Sequence, residues 1–309
     1  MRIAIMGAGG VGGYYGAALA KAGADVGFIA RGAHLDAMRR RGLTVLSDNG
    51  AFKVDPVRAS ADAASIGPVD VVLFCVKLYD TEQAVRACRP LIGDTTIVVT
   101  LQNGVESVAV LSAILGPGRV AGGAVYIVSR IESPGIIRRT GPSDLMEIGV
   151  PEGGPRDGAE AFVNMGRGAG LNISLVDDMN RMIWGKFILL SASSAMTALT
   201  RATIGEVRGD PVMRGVMIKA IQETVRVAHA VGVCLPDGIE KSTLYRLDTV
   251  LAADAKASQL VDLERGRRLE LEWLSGAIHR LGREAGIETP VHSTVYAALK
   301  RFAAGAVRP

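Results

Sequence analysis

One lysine stands inside a long apolar segment, and its surroundings could give it a chemical role. Residues 180–200 read NRMIWGKFILLSASSAMTALT and are typical of a single helix that is apolar almost all the way round, with Lys186 as its only lysine. A buried ammonium is costly unless a bound group compensates its charge. Burial also lowers the pKa of a lysine, which then can donate a proton to a ketone oxygen. A lysine that snorkels to solvent explains the segment equally well.

The residues that share a helix face with Lys186 are mostly small and polar. At helical spacing this face contains Leu190, Ser193, Ser194 and Thr197. The lysine therefore lies at the top of a narrow stripe of hydroxyl groups on an otherwise apolar helix. We expect such a stripe to line a polar cleft.

A glycine-rich loop near the N-terminus predicts a site for a dinucleotide. In IAIMGAGGVGG the glycines Gly7, Gly9 and Gly12 form a G-x-G-x-x-G motif that follows a strand and opens a helix. Such glycines allow a tight turn, a close approach of pyrophosphate and close helix–strand packing, and the helix N-terminus attracts negative charge. Gly10 and Val11 belong to the same predicted cofactor loop. The alternative is a glycine-rich turn that binds nothing.

The end of the second predicted strand indicates which dinucleotide would bind. NAD sites place an acidic residue near this point to hold the ribose hydroxyls, whereas DVGFIARGAH ends in Arg31. A guanidinium can pair with the 2′-phosphate of NADP, and the segment offers no carboxylate to repel it. We therefore expect NADPH rather than NADH. An ordinary surface arginine at a strand end is the alternative.

The order of strands and helices predicts a fold in two domains. Short β-branched runs alternate with helical segments in the first half, which is typical of a Rossmann-type doubly wound α/β sheet with parallel strands. Residues 124–149 contain two or three strands joined by Pro-Gly and Gly-Pro turns, so we expect an antiparallel extension. No strand pattern follows residue 178. We predict an NADP-binding domain over 1–178 and an all-α domain over 179–309, with helices over 210–232, 270–285 and 291–304.

Composition excludes several classes of protein. The 309 residues include 49% hydrophobic and 21% charged residues, with a net charge of +4, and the basic residues are too dispersed for a nucleic-acid surface. The helix around Lys186 is too polar for a lone membrane span. Three cysteines without a CxxC pair indicate a reduced, cytoplasmic protein. The four histidines lack metal-ligand spacing, so we predict no metal site and expect each histidine at the surface or at a cap.

Several segments, in order along nearly the whole chain, resemble the ketopantoate reductase family. They are GAGGVGGYYGAALAKAG, FCVKLYDT, TLQNGVES, WGKF, ASQLVDLERGRRLELEWLSG and AGIETPVHSTVYAALK. The resemblance implies an NADPH-dependent 2-dehydropantoate 2-reductase of pantothenate biosynthesis. It also implies a Rossmann domain, an all-helical domain and an active site in the cleft between them.

The same resemblance implies roles for particular residues. Lys186 would be the general acid that protonates the substrate carbonyl oxygen, and Glu270 would hydrogen-bond the substrate. Ser258 would bind the substrate carboxylate, and Asn103 would lie close to both nicotinamide and substrate. Lys77, at the carboxyl end of a predicted strand, would help bind cofactor or substrate. Without the resemblance, the sequence favours a solvated carboxylate for Glu270, whereas Asn103 is a turn asparagine and Lys77 could be an ordinary strand-end lysine.

The chain departs from the family pattern around the substrate. Asparagines expected at four positions are replaced by Leu190, Ser194, Ile204 and Ala255. Ser194 stays a candidate for contact with the substrate. A site built to hydrogen-bond a hydroxyl strongly rejects analogues that lack it, so losing these amides brings the identity of the substrate into question.

Three hypotheses follow from the sequence. The first is reduction of 2-dehydropantoate by NADPH, and the second is the same chemistry on a different small 2-oxo acid. The third is an NADPH-responsive binding protein without enzymatic activity. The Met-rich apolar helices of the second domain could form a homodimer interface or pack together, and of these two we carry the homodimer as an expectation.

Overall fold

The computed structural model describes residues 1–306 and divides into two compact units. The first unit spans Met1–Met179, and the second begins at Asn180. The first unit contains the strands, and no strand follows Val176 within the described residues. The fold is therefore a Rossmann-like α/β unit followed by a helical one, as the sequence predicts.

The first unit is built on one ten-stranded sheet whose order is β4-β3-β9-β8-β7-β6-β1-β2-β5, with β10 beside β9. In this order β8, β7, β6, β1, β2 and β5 run parallel to one another, whereas β8 is antiparallel to β9. The central strands β1 and β6 are apolar and buried on both faces, as is typical of parallel sheets. The strands are β1 Arg2–Met6, β2 Asp25–Ile29, β3 Leu43–Ser47, β4 Gly50–Val54, β5 Arg58–Ser60, β6 Val69–Phe74, β7 Ile92–Thr100, β8 Val120–Ser133, β9 Ile136–Gly149 and β10 Ile173–Val176.

Helices cover this sheet on both faces and enclose two apolar clusters. One cluster includes Ile3, Ile5 and Phe28, and the other includes Ala4, Val72 and Phe74. Because alternate residues of β1 enter different clusters, the strand is buried on both sides. The helices are α1 Gly10–Lys21, α2 Gly32–Arg41, α3 Thr81–Ala87, α4 Ser107–Leu115 and α5 Arg156–Gly168.

The sequence predicts the antiparallel extension of the sheet only in part. Strands β8 and β9 form a long hairpin around Pro134-Gly135, as expected. Gly141 and Pro142, however, lie within β9 at a shift of register, where Val128 pairs with Thr140. The β3–β4 hairpin was not expected from the sequence; its strand β3 pairs in parallel with β9.

The second unit is helical, and its helix boundaries follow local capping chemistry. Helix α7 begins with a capping box between Thr203 and Glu206, and Asp210 caps α8 directly before a proline. The helices are α6 Met179–Thr200, α7 Ile204–Gly209, α8 Pro211–Ala230, α9 Ile239–Thr249, α10 Ser258–Glu264, α11 Ser275–Ala285 and α12 Pro290–Leu299. Helix α6 thus starts one residue before the division of the two units.

Two helices predicted in this unit are wrong in their extent. The one over 291–304 ends at Leu299, where residues Lys300–Phe302 form a 3-10 turn. The segment 270–285 is not continuous, because residues Leu271–Trp273 form a 3-10 turn and α11 begins only at Ser275. Leu274 separates them with φ −107° and ψ −101°, outside the helical region. Glu270 therefore lies at a turn rather than on a helix face.

The expectation of surface or capping histidines is wrong for His292. This residue is fully buried, and its ring lies 3.0 Å from the Thr224 hydroxyl and 3.2 Å from the Ser275 hydroxyl. Burial lowers the pKa of His292 to about 4. The carboxylate of Glu223 accepts hydrogen bonds from the backbone N–H groups of Val291 and His292. These contacts join α8, α11 and α12.

Helix α6 is the longest helix of the described chain, with 22 residues, and it is largely apolar. Within the described residues it is the one helix long and apolar enough to cross a membrane, and 72% of the apolar window is buried inside the protein. A core helix of a soluble protein has the same properties.

Candidate active site

The predicted cofactor residues all follow the carboxyl ends of strands in the first unit's sheet, and these ends form one edge of it. Strands β2, β1, β6 and β7 are consecutive neighbours and parallel, so their carboxyl ends lie side by side. Arg31, Gly7, Lys77 and Asn103 come shortly after these four ends. The chain leaves β1 toward β2 on one side and later returns to β6 on the other, which makes this edge the topological switch point where such sheets bind ligands.

The glycine loop has the geometry that a dinucleotide site requires. Gly7 has φ +100°, and a Cβ on Gly12 would lie 2.3 Å from the Gly7 carbonyl oxygen. A Cβ on Gly10 would lie 2.4 Å from the carbonyl oxygen of Ser129. Gly9 differs, because a Cβ there would meet no protein atom within 4 Å. Backbone packing thus requires three of the glycines, and Gly9 leaves the space that a pyrophosphate would need beside helix α1.

Two further predicted cofactor residues, Val11 and Arg31, lie at the starts of helices α1 and α2. Val11 lies in the first turn of α1 and packs against the larger apolar cluster, so its side chain supports the loop from below. Arg31 is the N-cap residue of α2, with 65% of its side chain exposed. Its guanidinium Nη2 lies 3.6 Å from Oδ2 of Asp80, the residue directly before α3. This carboxylate, which the sequence analysis did not consider, holds the guanidinium at the carboxyl edge of the sheet.

Lys77 and Asn103 lie in loops that a buried glutamine joins. The side chain of Gln102 donates to the carbonyl oxygen of Val76 at 3.1 Å and to the Thr81 hydroxyl at 2.8 Å. Lys77 and Asn103 are the chain neighbours of Val76 and Gln102, and both are half-buried. The sequence gives no sign of this role for Gln102, which directly precedes Asn103. Its buried hydrogen bonds fix the two loops relative to each other.

In the second unit, Lys186 has an altered acidity. Burial lowers the pKa of Lys186 to about 8, the charge of Glu270 opposes this shift, and the charge of Arg246 adds to it. Glu270 is only 8% exposed, so the alternative of a solvated carboxylate is wrong. The three residues come from α6, α9 and the turn before residues 271–273. Arg246 was not singled out in the sequence, because nothing local distinguishes it from a surface arginine.

The stripe of hydroxyls beside Lys186 is only partly as expected. The Ser193 hydroxyl donates to the carbonyl oxygens of Leu189 and Leu190, and the Thr197 hydroxyl donates to that of Ser193 at 2.8 Å. These two hydroxyls are therefore satisfied by their own helix. Ser194 Oγ is fully buried and has no hydrogen-bond partner within residues 1–306.

The remaining substrate candidate and the substituted positions also lie in the second unit. Ser258 is exposed and is the first residue of α10. Ile204 and Ala255 are direct neighbours, since the Ile204 N–H donates to the Ala255 carbonyl oxygen at 2.9 Å. Ile204 is 2% exposed, so its side chain is part of the apolar interior of the helical unit, at a position where the family pattern has an amide.

The first unit has a glycine loop at the switch point of its parallel strands, and the helical unit holds a lysine of lowered pKa. Together these features define the class of a two-unit oxidoreductase of the Rossmann type. Comparison with known proteins narrows this class. The family model "Ketopantoate reductase PanE/ApbA" matches residues 3–153, and the model for the C-terminal part of that family matches residues 178–303. The chain therefore belongs to the ketopantoate reductase family, and it is an oxidoreductase.

Individual relatives agree with this membership. A 2-dehydropantoate 2-reductase of Mesorhizobium japonicum is 33% identical over 98% of both chains. The crystal structure of a PanE/ApbA family ketopantoate reductase from Ralstonia eutropha superposes with a TM-score of 0.89 at 33% identity, covering 98% of both chains. A D-mandelate dehydrogenase bound to NADH and anilino(oxo)acetate gives a TM-score of 0.90 over 98% of both chains, but at 20% identity this likeness shows the fold alone.

Proposed function

We propose that this enzyme reduces a small 2-oxo acid with NADPH, and that 2-dehydropantoate is its substrate. The observation that carries the proposal is Lys186, whose pKa is lowered to about 8 beside the buried carboxylate of Glu270. A general acid works best when its pKa lies near the working pH, because it must be protonated before the reaction and must release the proton during it. The names of the relatives support 2-dehydropantoate as the substrate.

In this mechanism four residues of the helical unit have separate tasks. Lys186 Nζ donates a proton to the ketone oxygen as negative charge develops there, and it later regains a proton from solvent. Glu270 keeps the lysine protonated, since its charge opposes the effect of burial. Arg246 has the opposite effect and brings the pKa nearer to neutral. Ser258 and Glu270 would position the substrate.

The first unit would bind the cofactor, whose nicotinamide supplies the hydride when bound. Arg31 would pair with the 2′-phosphate, Gly7–Gly12 and the start of α1 would hold the pyrophosphate, and Lys77 and Asn103 would contact the nicotinamide end. Three strand spacings separate the ends of β2 and β7, about 14 Å, which suits an extended dinucleotide. Asp80 would have to share Arg31 with the phosphate.

The test is the oxidation of NADPH, followed by its absorbance, with 2-dehydropantoate and with plainer 2-oxo acids such as pyruvate and 3-methyl-2-oxobutanoate. We expect the largest kcat/KM on 2-dehydropantoate and a lower KM for NADPH than for NADH. If turnover is strongest on a plainer acid, that acid replaces 2-dehydropantoate as the assigned substrate. Absence of turnover on every 2-oxo acid would overturn the proposal.

A second candidate is the same reduction of a less polar 2-oxo acid. The observation that favours it is that Leu190, Ile204 and Ala255, which carry no amide, stand at three positions where the family pattern has asparagines. The panel of acids separates the two candidates directly, because a 2-oxo acid with a purely alkyl chain would then be preferred over 2-dehydropantoate.

A further inference from the structure

One histidine of the first unit connects separate elements around the glycine loop. His34 is the third residue of α2, shortly after Arg31, and its side chain is half-buried. Its Nδ1 accepts a hydrogen bond from the backbone N–H of Gly135 at 3.1 Å. Gly135 is 101 residues away in the chain, at the turn of the β8–β9 hairpin. The ring therefore joins the start of α2 to a segment that is distant in sequence.

The contact with Gly135 defines where the ring of His34 carries its hydrogen. Because a backbone N–H only donates, Nδ1 accepts, and the hydrogen of the neutral ring is on Nε2. Nε2 is buried and has no hydrogen-bond partner of good geometry within residues 1–306. Burial lowers the pKa of His34, and the backbone of Ala8, in the glycine loop, opposes this shift. The Ala8 N–H is donated to the Ile29 carbonyl oxygen at 3.0 Å, so the ring faces the Ala8 carbonyl.

The β8–β9 hairpin supports the first turn of α1. A Cβ on Gly10 would lie 2.4 Å from the Ser129 carbonyl oxygen, and a Cβ on Gly13 would lie 2.8 Å from Cδ1 of Ile137. Ser129 belongs to β8 and Ile137 to β9, on either side of the turn at Gly135. Because the backbone of α1 packs directly on both strands, a movement of the hairpin would displace the N–H groups that would hold the pyrophosphate.

The turn of this hairpin is held from two sides. The Thr44 N–H donates to the Gly135 carbonyl oxygen at 2.9 Å, which fixes the turn to β3. On the other side the turn lies on α2, where a Cβ on Gly135 would be 3.1 Å from the Cβ of Ala37. His34 adds the link to the glycine loop, because its ring contacts Gly135 and also faces Ala8.

We propose that His34 is a positioning residue for the dinucleotide, and that through Gly135 and Ala8 it holds the glycine loop in the shape that binds the pyrophosphate. This inference rests on the proposed function, since it requires a dinucleotide at this loop. His34 acts through the backbone of the protein rather than through a contact of its own with the cofactor. NADPH and NADH share the pyrophosphate, so loss of His34 should weaken the binding of both equally. Arg31 differs, because it would pair with the 2′-phosphate that only NADPH carries.

The test replaces the ring by amides that keep one nitrogen position each. In His34→Asn the amide oxygen can lie where Nδ1 lies and accept from Gly135, whereas in His34→Gln the longer side chain carries its amide to the region of Nε2. His34→Leu removes both polar positions. Asp36→Ala, at an exposed position of the same helix, is the matched control. The Kd values of NADPH and NADH are measured by fluorescence titration, together with kcat at saturating NADPH and the Tm of each variant.

We expect His34→Gln and His34→Leu to raise the Kd of NADPH and that of NADH by the same factor, about fivefold, which is the usual value of one hydrogen bond. His34→Asn and Asp36→Ala should keep both Kd values within about twofold of the native ones. The kcat at saturating NADPH should be unchanged in all four variants, because the residues proposed for the proton transfer belong to the helical unit. A role in stability alone would lower the Tm of the Gln and Leu variants and leave the Kd values of the folded protein unchanged.

The possible failures are distinguishable. If the native protein binds neither NADPH nor NADH, the proposed function fails. If it binds them and every His34 variant keeps the native Kd values, the function stands and this inference is overturned. A loss confined to NADPH would also overturn it, because His34 would then act through Arg31. An equal loss in His34→Asn would do the same, because an acceptor at Nδ1 would then not matter. If His34→Leu does not fold, the Asn and Gln variants, which both keep a polar side chain, decide the matter.

Discussion

The cofactor edge of the sheet and the lysine region of the helical unit are built in different ways. At the sheet edge, four loops that each follow a strand end carry the candidate residues, and the backbone itself provides most of the surface. In the helical unit, Lys186, Arg246 and Glu270 come from segments far apart in sequence, and the acidity of the lysine depends on burial. The first region is defined by local conformation and the second by tertiary packing. Substitutions should therefore change binding in the first region and chemistry in the second.

The largest expected effect is on the chemical step, from Lys186→Ala. Loss of a general acid should lower kcat by about two to four orders of magnitude. The affinity for NADPH, measured by fluorescence titration, should stay within about twofold, because the cofactor residues belong to the first unit. Lys219→Ala is the control, since Lys219 is an exposed lysine on α8. Near-native kcat in Lys186→Ala would remove the acid assignment and with it the contrast between the two regions.

A substitution at the glycine loop should show the opposite pattern. Gly9→Ala adds a methyl group where no protein atom lies within 4 Å, so folding should be unaffected. The methyl would occupy the proposed pyrophosphate space and lower NADPH affinity roughly tenfold to a hundredfold, the usual value of a charge-assisted contact. Gly168→Ala, at another uncrowded glycine of the same unit, should leave both Tm and affinity unchanged. Unchanged NADPH affinity in Gly9→Ala would contradict the placement of the cofactor.

The same contrast explains what the sequence could predict. The glycine loop, the strand ends and Arg31 follow from local patterns, and the parallel sheet and the helical second unit are confirmed. The β3–β4 hairpin was missed because its strands are short and half-exposed, so their pattern is weak. Arg246 and Gln102 were missed because an arginine or glutamine gains its role only from the residues that the tertiary fold places around it. The break at Leu274 was missed because residues 270–285 keep an apolar helical pattern.

A smaller effect is expected at Arg31, where the cofactor preference would be decided. Arg31→Ala should lower the affinity for NADPH about tenfold and leave that for NADH nearly unchanged, since only NADPH carries the 2′-phosphate. Asp80→Asn should act in the reverse direction by a few-fold, because the carboxylate 3.6 Å from Arg31 competes with the phosphate. Arg41→Ala, at the exposed end of the same helix, is the control. Equal losses for NADPH and NADH in Arg31→Ala would show that Arg31 does not select the cofactor.

The smallest effects, and the ones that probe the helical unit most directly, concern pH. Because Lys186 must be protonated to act as an acid and its pKa is about 8, kcat/KM for reduction should fall as the pH rises through about 8. The charge of Glu270 raises this pKa, so in Glu270→Gln the fall should move to lower pH. The charge of Arg246 lowers it, so in Arg246→Met the fall should move to higher pH. Shifts in these opposite directions would separate an electrostatic role from loss of structure, which has no reason to move the two profiles apart. A profile in Lys186→Ala that still falls at the same pH would assign the titration to another group.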